Sequence, residues 1–177
     1  RMDRGPTSVT ERGDSLVYIG AYCLMPNHFH LLIKEKTENG ISVFMKKLCT
    51  AYAMYFNIKN ERSGNLFQGK FKAQLFDNDE YLKYIFSYIH LNPIKLIEPA
   101  WKEFGIKDFK RAKNFLNNYK WSSYSFYVGE INNDVILNKE EFPQYFDTLK
   151  EFNNFIDGWL SFPRSDPGIN FSSRQIT

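Results

Sequence analysis

Cysteine and histidine are scarce in this chain: its 177 residues include two of the first and three of the second. Two cysteines, Cys23 inside an apolar run and Cys49 on the apolar side of a periodic segment, do not make a disulfide framework. Both read as small buried hydrophobes, and the expected compartment is the reducing cytoplasm. No apolar run approaches the roughly 18 residues of a membrane-spanning helix, and no signal peptide is visible, so no membrane partner is expected. Internal repeats and low-complexity tracts are absent from the sequence. Neither sign of charge dominates: 23 Lys and Arg against 20 Asp and Glu leave +3, with a pI near 8.7. That balance permits nucleic-acid binding without arguing for it.

What the chain does have is aromatic surface. Seventeen Phe and 11 Tyr help take aromatics to 18% and hydrophobic residues to 43%, which excludes a disordered or fibrous protein. The length suits one domain, with or without an appendage, and is enough to bury a core. Aromatic rings can stack on unpaired bases, but core filling accounts for most of them.

Three parts are expected. Residues 1–14 almost lack large apolar side chains and begin Arg1-Met2, which reads as a polar tail, a foreign remnant or one side of an omitted stretch. Residues 15–130 carry the motifs. Residues 131–177 read as a short helical C-terminal extension, followed from Ser161 by a tail rich in serine, proline and glycine. Within the central part, Leu16 to Ile33 is extended, with Met25-Pro26-Asn27 bending or bulging the chain between two halves, because proline cannot donate to a sheet ladder. Residues 41–57 show helical periodicity with an apolar stripe through Ile41, Phe44, Met45, Leu48, Tyr52, Tyr55 and Phe56. Residues 66–76 alternate as a strand or hairpin arm. Asp77-Asn78-Asp79 caps a helix over about 80–92 that stops at Pro93. Residues 98–120 are mixed, irregular or weakly helical, and 135–160 contain one or two short helices.

All three histidines lie in two short motifs, Pro26-Asn27-His28-Phe29-His30 and Tyr88-Ile89-His90-Leu91-Asn92-Pro93. On one strand, His28 and His30 present both imidazoles to the same face, where two neutral rings can converge on a metal ion. On the second motif's helix, Tyr84, Tyr88 and Asn92 form one line beside the apolar stripe of Leu82, Ile85, Phe86 and Ile89. Each pattern also has an ordinary use: paired histidines serve as hydrogen-bonded core residues, tyrosine sits at core edges, and Asn-Pro ends helices. His90 points elsewhere, toward a structural hydrogen bond or a DNA contact.

Tyr22-Cys-Leu-Met-Pro-Asn-His-Phe-His-Leu-Leu-Ile33 resembles the HUH strand of single-tyrosine transposases of the insertion-sequence type, with Phe29 as the bulky residue between the histidines. The resemblance is closest to the REP-associated tyrosine transposases. Arg62-Ser-Gly-Asn-Leu-Phe-Gln-Gly-Lys-Phe-Lys72 looks like the family's basic strand, Tyr88 to Lys95 like its tyrosine helix, and Trp121-Ser-Ser-Tyr124 like its downstream signature. These segments, in order, span roughly residues 16–128. One departure stands out: the family usually has a strand and a helix before the HUH strand, and here only a polar stub precedes it.

The resemblance implies a ferredoxin-like α+β domain, mainly antiparallel sheet with helices packed on it. It implies His28, His30 and Asn92 as ligands of a divalent ion, Mg2+ or Mn2+, and Tyr88 as the nucleophile that cleaves and rejoins single-stranded DNA near hairpins through a 5′-phosphotyrosine link. Glutamine often stands where Asn92 does, so the amide oxygen is kept on a shorter arm. Arg62, Lys70, Lys72 and Lys95 are the expected DNA contacts, with Lys34 a weaker candidate; Lys70 and Lys72 would share one strand face and track the phosphates. Homodimer and monomer both stay open. Two other readings are a non-catalytic hairpin-binding protein of the same fold and a metal phosphodiesterase that uses water as nucleophile.

Overall fold

The structure, a computed structural model, describes residues 14–76, 78–130, 135–146 and 148–161. The expected N-terminal tail up to residue 13, Asp77 of the cap and the tail from 162 lie outside the described residues. The extended run of 16–33 is two strands rather than one bent one. β1 (Val17–Leu24) and β2 (Phe29–Glu35) pair antiparallel, and the Met25 N–H donates to the His28 carbonyl at 2.8 Å across Pro26-Asn27. Proline, without an N–H, falls where the ladder needs no donor. The irregularity in register lies further back, between Ile19 and Ala21. Gly20 stands there under the ring of Phe142, where a Cβ would lie 2.9 Å from ring carbons.

Residues directly opposite on antiparallel strands share a face. Cys23 faces His30 and Ala21 faces Leu32; Cys23, Ala21 and Leu32 are buried. Packed against both strands is α2 (Asp79–Leu91). The Asn78 side chain accepts from the Glu80 N–H at 2.8 Å, and Asp79 and Glu80 complement the helix dipole. Leu91 ends α2, and Asn92–Leu96 continues as a tighter 3-10 turn with Pro93 at its start. Every residue from Tyr84 to Leu91 is buried, so this stretch is a central helix rather than one bordering the core. Its polar members are internally bonded: Ser87 Oγ donates to the Tyr84 carbonyl at 2.7 Å, and His90 Nε2 and Ser123 Oγ are hydrogen-bonded at 2.8 Å.

The edge of β1 is covered by the Trp121-Ser-Ser-Tyr124 segment. Leu24 N–H donates to the Trp121 carbonyl at 2.8 Å, Ser123 N–H to the Tyr22 carbonyl at 3.0 Å, and Cys23 bridges Ser122. Tyr119 and Tyr127 donate their hydroxyls to the carbonyls of Leu24 and Gly20 at 2.7 and 2.6 Å. This segment is thus a substitute edge strand joined to α2 through His90.

Three expectations are corrected. Apart from a single bridge residue at Phe67, residues 66–76 run irregularly and belong to neither strand of the sheet among the described residues, so Lys70 and Lys72 do not share a strand face. Residues 98–120 are more regular than expected: α3 (Trp101–Phe104) is followed by α4 (Phe109–Asn118), capped by Asp108, whose side chain accepts from the Arg111 N–H at 2.9 Å. In α1 (Gly40–Lys59), only Gly40 and Met45 are buried; Leu48, Tyr52 and Tyr55 of the apolar stripe are exposed, and Cys49 is half-buried. A two-stranded hairpin is narrower than a 20-residue helix is long, about 30 Å, so it cannot cover the whole stripe.

At the other end, α5 (Tyr124–Tyr127) leads to a 3-10 turn at Lys139–Glu141 and then α6 (Leu149–Ser161). Phe152, Ile156 and Leu160, four apart, are buried with α2, and Asp157 pairs with Lys113 of α4 at 2.8 Å. The architecture is α+β, consistent with a ferredoxin-like fold.

Candidate functional site

His28 sits in the turn just before β2, not within a strand, while His30 is the strand's second residue. The two rings nevertheless meet edge to face with centroids 5.0 Å apart. Across from them on α2, the Tyr88 ring meets His30 edge to face at 5.4 Å. A strand end and a helix face thus bring together residues that are 58 to 60 positions apart in the sequence.

The hydrogen bonds around these side chains leave three lone pairs to account for. His28 Nδ1 is 2.7 Å from Asn27 Oδ1, an acceptor, so Nδ1 carries the hydrogen and Nε2 keeps its lone pair. His30 Nε2 is buried with no hydrogen-bond partner among the described residues. Asn92, fully buried, donates its Nδ2 to the Tyr88 carbonyl at 2.8 Å, and its Oδ1 has no hydrogen-bond partner among the described residues. Buried acceptors without donors are costly. Two imidazole nitrogens and an amide oxygen, none of them protonated, are the donor types that a divalent cation takes.

Electrostatics keeps the rings neutral. Burial, and then the charges of His28, Lys95 and Lys102, push the His30 pKa down to about 3. Burial and Lys95 also lower that of His28. Among the described residues, no three His, Cys, Asp or Glu side chains cluster for a metal.

His30 and Tyr88 open onto a cleft of about 910 Å³ between β2, α1, α2 and the irregular segment 71–76. Lys72 and Lys34 line it, Lys34 being held by Glu141 at 3.4 Å. Of the other expected DNA contacts, Lys95 is half-buried near the histidines, whose pKa values its charge lowers. Arg62 lies over the Phe56 ring at 5.7 Å, and Lys70 is exposed and lines neither the cleft nor the histidines. His90 is fully buried on Ser123, a structural residue rather than a DNA contact.

Residues 12–92 match the family described as transposase, IS200 like. The match marks this stretch as similar to that transposase family. It covers a little under half of the chain, takes in His28, His30, Tyr88 and Asn92, and ends before Lys95. No curated protein and no solved structure matches the chain. No helix among the described residues is long and apolar enough to cross a membrane.

Beyond the matched segment, the candidate site includes a residue that sequence reasoning missed. Lys102 places its ammonium 4.2 Å from the centre of the Tyr88 ring. It lies in a stretch expected to be irregular, with no motif around it. Asn27 was visible within the motif, but its grip on His28 depends on the turn, and no spacing rule reveals that.

Proposed function

We propose that this protein is a metal-dependent single-stranded DNA transposase that cleaves and rejoins DNA near hairpins through Tyr88. The observation that carries the reading is the contact between Tyr88 and His30, with the His28 ring against His30 and an amide oxygen on Asn92 that has no donor among the described residues. His28, His30 and Asn92 would hold Mg2+ or Mn2+, which supplies charge to neutralise and polarise the scissile phosphate. Two imidazoles alone lean toward softer ions, but an amide oxygen, water and phosphate make the donor set harder.

Tyr88 supplies the nucleophile. Its oxygen bonds to phosphorus as the bond from phosphorus to the 3′-oxygen breaks, giving a 5′-phosphotyrosine and a free 3′-hydroxyl. The phenol proton passes to water, and the departing oxygen takes one from water. Because the phosphodiester is exchanged rather than hydrolysed, a second 3′-hydroxyl can reverse the step and join strands. Lys72 and Lys95 supply positive charge toward the cleft and the histidines, suited to phosphate. The half-buried aromatic residues Phe71 and Phe76 give the cleft faces on which unpaired bases can stack.

The deciding experiment incubates the protein and a labelled single-stranded hairpin with Mn2+ and looks for a covalent protein–DNA adduct. The expected adduct forms with the wild type and is lost in Tyr88→Phe. Cleavage that survives this substitution would point to a phosphodiesterase with water as nucleophile. Binding without cleavage would point to a recognition protein.

A further inference from the structure

We propose that Lys102 is a positioning residue, its ammonium holding the Tyr88 ring in the plane from which the hydroxyl reaches the scissile phosphate. The inference rests on Tyr88 being the nucleophile. The second side-chain torsion of tyrosine has a broad well, so surrounding contacts rather than intrinsic preference set the ring plane. Besides Tyr84 on its own helix, two other elements make such contacts among the described residues. From β2, the His30 ring stands at 86° to that of Tyr88. From α3, the Lys102 ammonium lies 4.2 Å from the ring centre, within the range at which a cation is held by an aromatic face.

The lysine is itself held in place. Its neighbour Trp101 is buried, and Trp101, Lys102, Tyr84 and Tyr88 line one crevice of about 30 Å³. That space has room for about one water molecule, so on the side away from the cleft the ring has little volume in which to swing. The charge of Lys102 is felt at His30, which places the lysine on the same side of the molecule as the proposed metal ligands. Attack on phosphorus forms the Tyr88 oxygen–phosphorus bond while the bond to the 3′-oxygen breaks, and the two must lie in line. A misplacement of about 1 Å can cost on the order of a hundredfold in such a reaction. A ring oriented before DNA arrives avoids that loss.

The test uses the full chain, the labelled hairpin and Mn2+. For Lys102→Met, the single-turnover rate of adduct formation at saturating DNA should fall about tenfold, with affinity for the same DNA changed less than about twofold. Lys102→Arg, whose guanidinium also stacks on rings, should restore most of the rate. Lys102→Gln, of similar length, should repeat the loss if the methionine variant folds poorly. A wild-type rate in Lys102→Met overturns the proposal. So does a parallel loss of rate and affinity with a salt slope flattened by about 0.7, which would make Lys102 a phosphate contact instead. A DNA-free readout separates this inference from the reading beneath it. In ring-labelled tyrosine spectra, the Tyr88 resonance, identified by its absence in Tyr88→Phe, should move in Lys102→Met and return in Lys102→Arg. An unmoved resonance overturns the contact, whereas an adduct surviving in Tyr88→Phe overturns only the nucleophile assignment.

Discussion

The Asn92 side chain donates to the Tyr88 carbonyl one helical turn back, at 2.8 Å, and this bond fixes which end of the amide is which. The oxygen, on a fully buried residue, has no hydrogen-bond partner among the described residues. The proposed ligand is therefore tied to the backbone of the proposed nucleophile, and metal and tyrosine would be positioned by one element.

Replacement of Asn92 should separate folding from metal binding. Asn92→Ala loses one hydrogen bond but also removes a buried oxygen without a donor; the two effects, each about 1 kcal/mol, oppose one another. Stability to urea should change by less than about 1.5 kcal/mol. Mn2+ affinity, read by the paramagnetic resonance of free ion, should drop about tenfold or more. Wild-type affinity in this variant would remove Asn92 from the ligand set.

Asn27 touches a proposed ligand rather than the ion itself. Its oxygen holds the His28 Nδ1–H at 2.7 Å and so fixes the lone pair on Nε2. Asn27→Ala should weaken Mn2+ binding about 10–100-fold, while Asn27→Asp, which keeps an acceptor, should retain it. Because the residue is exposed in the turn, thermal unfolding should hardly move. If the alanine variant binds Mn2+ normally, the orienting role is wrong.

How much of this was legible follows from which interactions are local. The cap at Asn78, the helix through Tyr88 and its stop near Pro93 depend on neighbours in sequence, and all three could be read from it. The reversal at Pro26-Asn27 was visible as an interruption, but proline signals a break in the ladder without saying whether the chain bends or turns back. Alternation in 66–76 suggested a strand, yet a strand needs a partner edge, and pairing is not encoded in the segment itself. The α1 stripe failed for a similar reason: periodicity shows that a helix has an apolar face, not that anything covers it. At the site, His28, His30, Tyr88 and Asn92 stood out through motif and order. Lys102 did not, because its only distinguishing feature is proximity to a residue 14 positions earlier.

Ser123 should prove a structural centre rather than a catalytic one. Its hydroxyl accepts from the Tyr22 N–H at 3.0 Å and is bonded to His90 Nε2 at 2.8 Å, joining β1, the covering segment and α2. Ser123→Ala leaves buried polar groups unsatisfied and should cost about 1–3 kcal/mol in urea unfolding. Single-turnover adduct formation by the fraction that stays folded should be nearly unchanged. A large loss of rate without loss of stability would contradict this assignment.

The last prediction concerns acid stability. Burial pushes the pKa of His90 down to about 3, with the Phe86 carbonyl opposing, and that of His30 also to about 3. Both folded values lie below the unfolded value near 6.5. Between these limits the unfolded chain takes up protons that the folded one refuses, so stability is complete above about pH 6.5 and falls as pH drops toward 3. For fully buried His90 alone the loss is on the order of a few kcal/mol. His90→Gln, which removes the titration and keeps a polar partner for Ser123, should therefore be less stable than wild type at pH 7 yet show a shallower decline below pH 6.5. Urea midpoints measured from pH 7.5 to 4 give both slopes. Parallel slopes would mean that His90 already takes up a proton in the folded state, and its place in the core would then need another account.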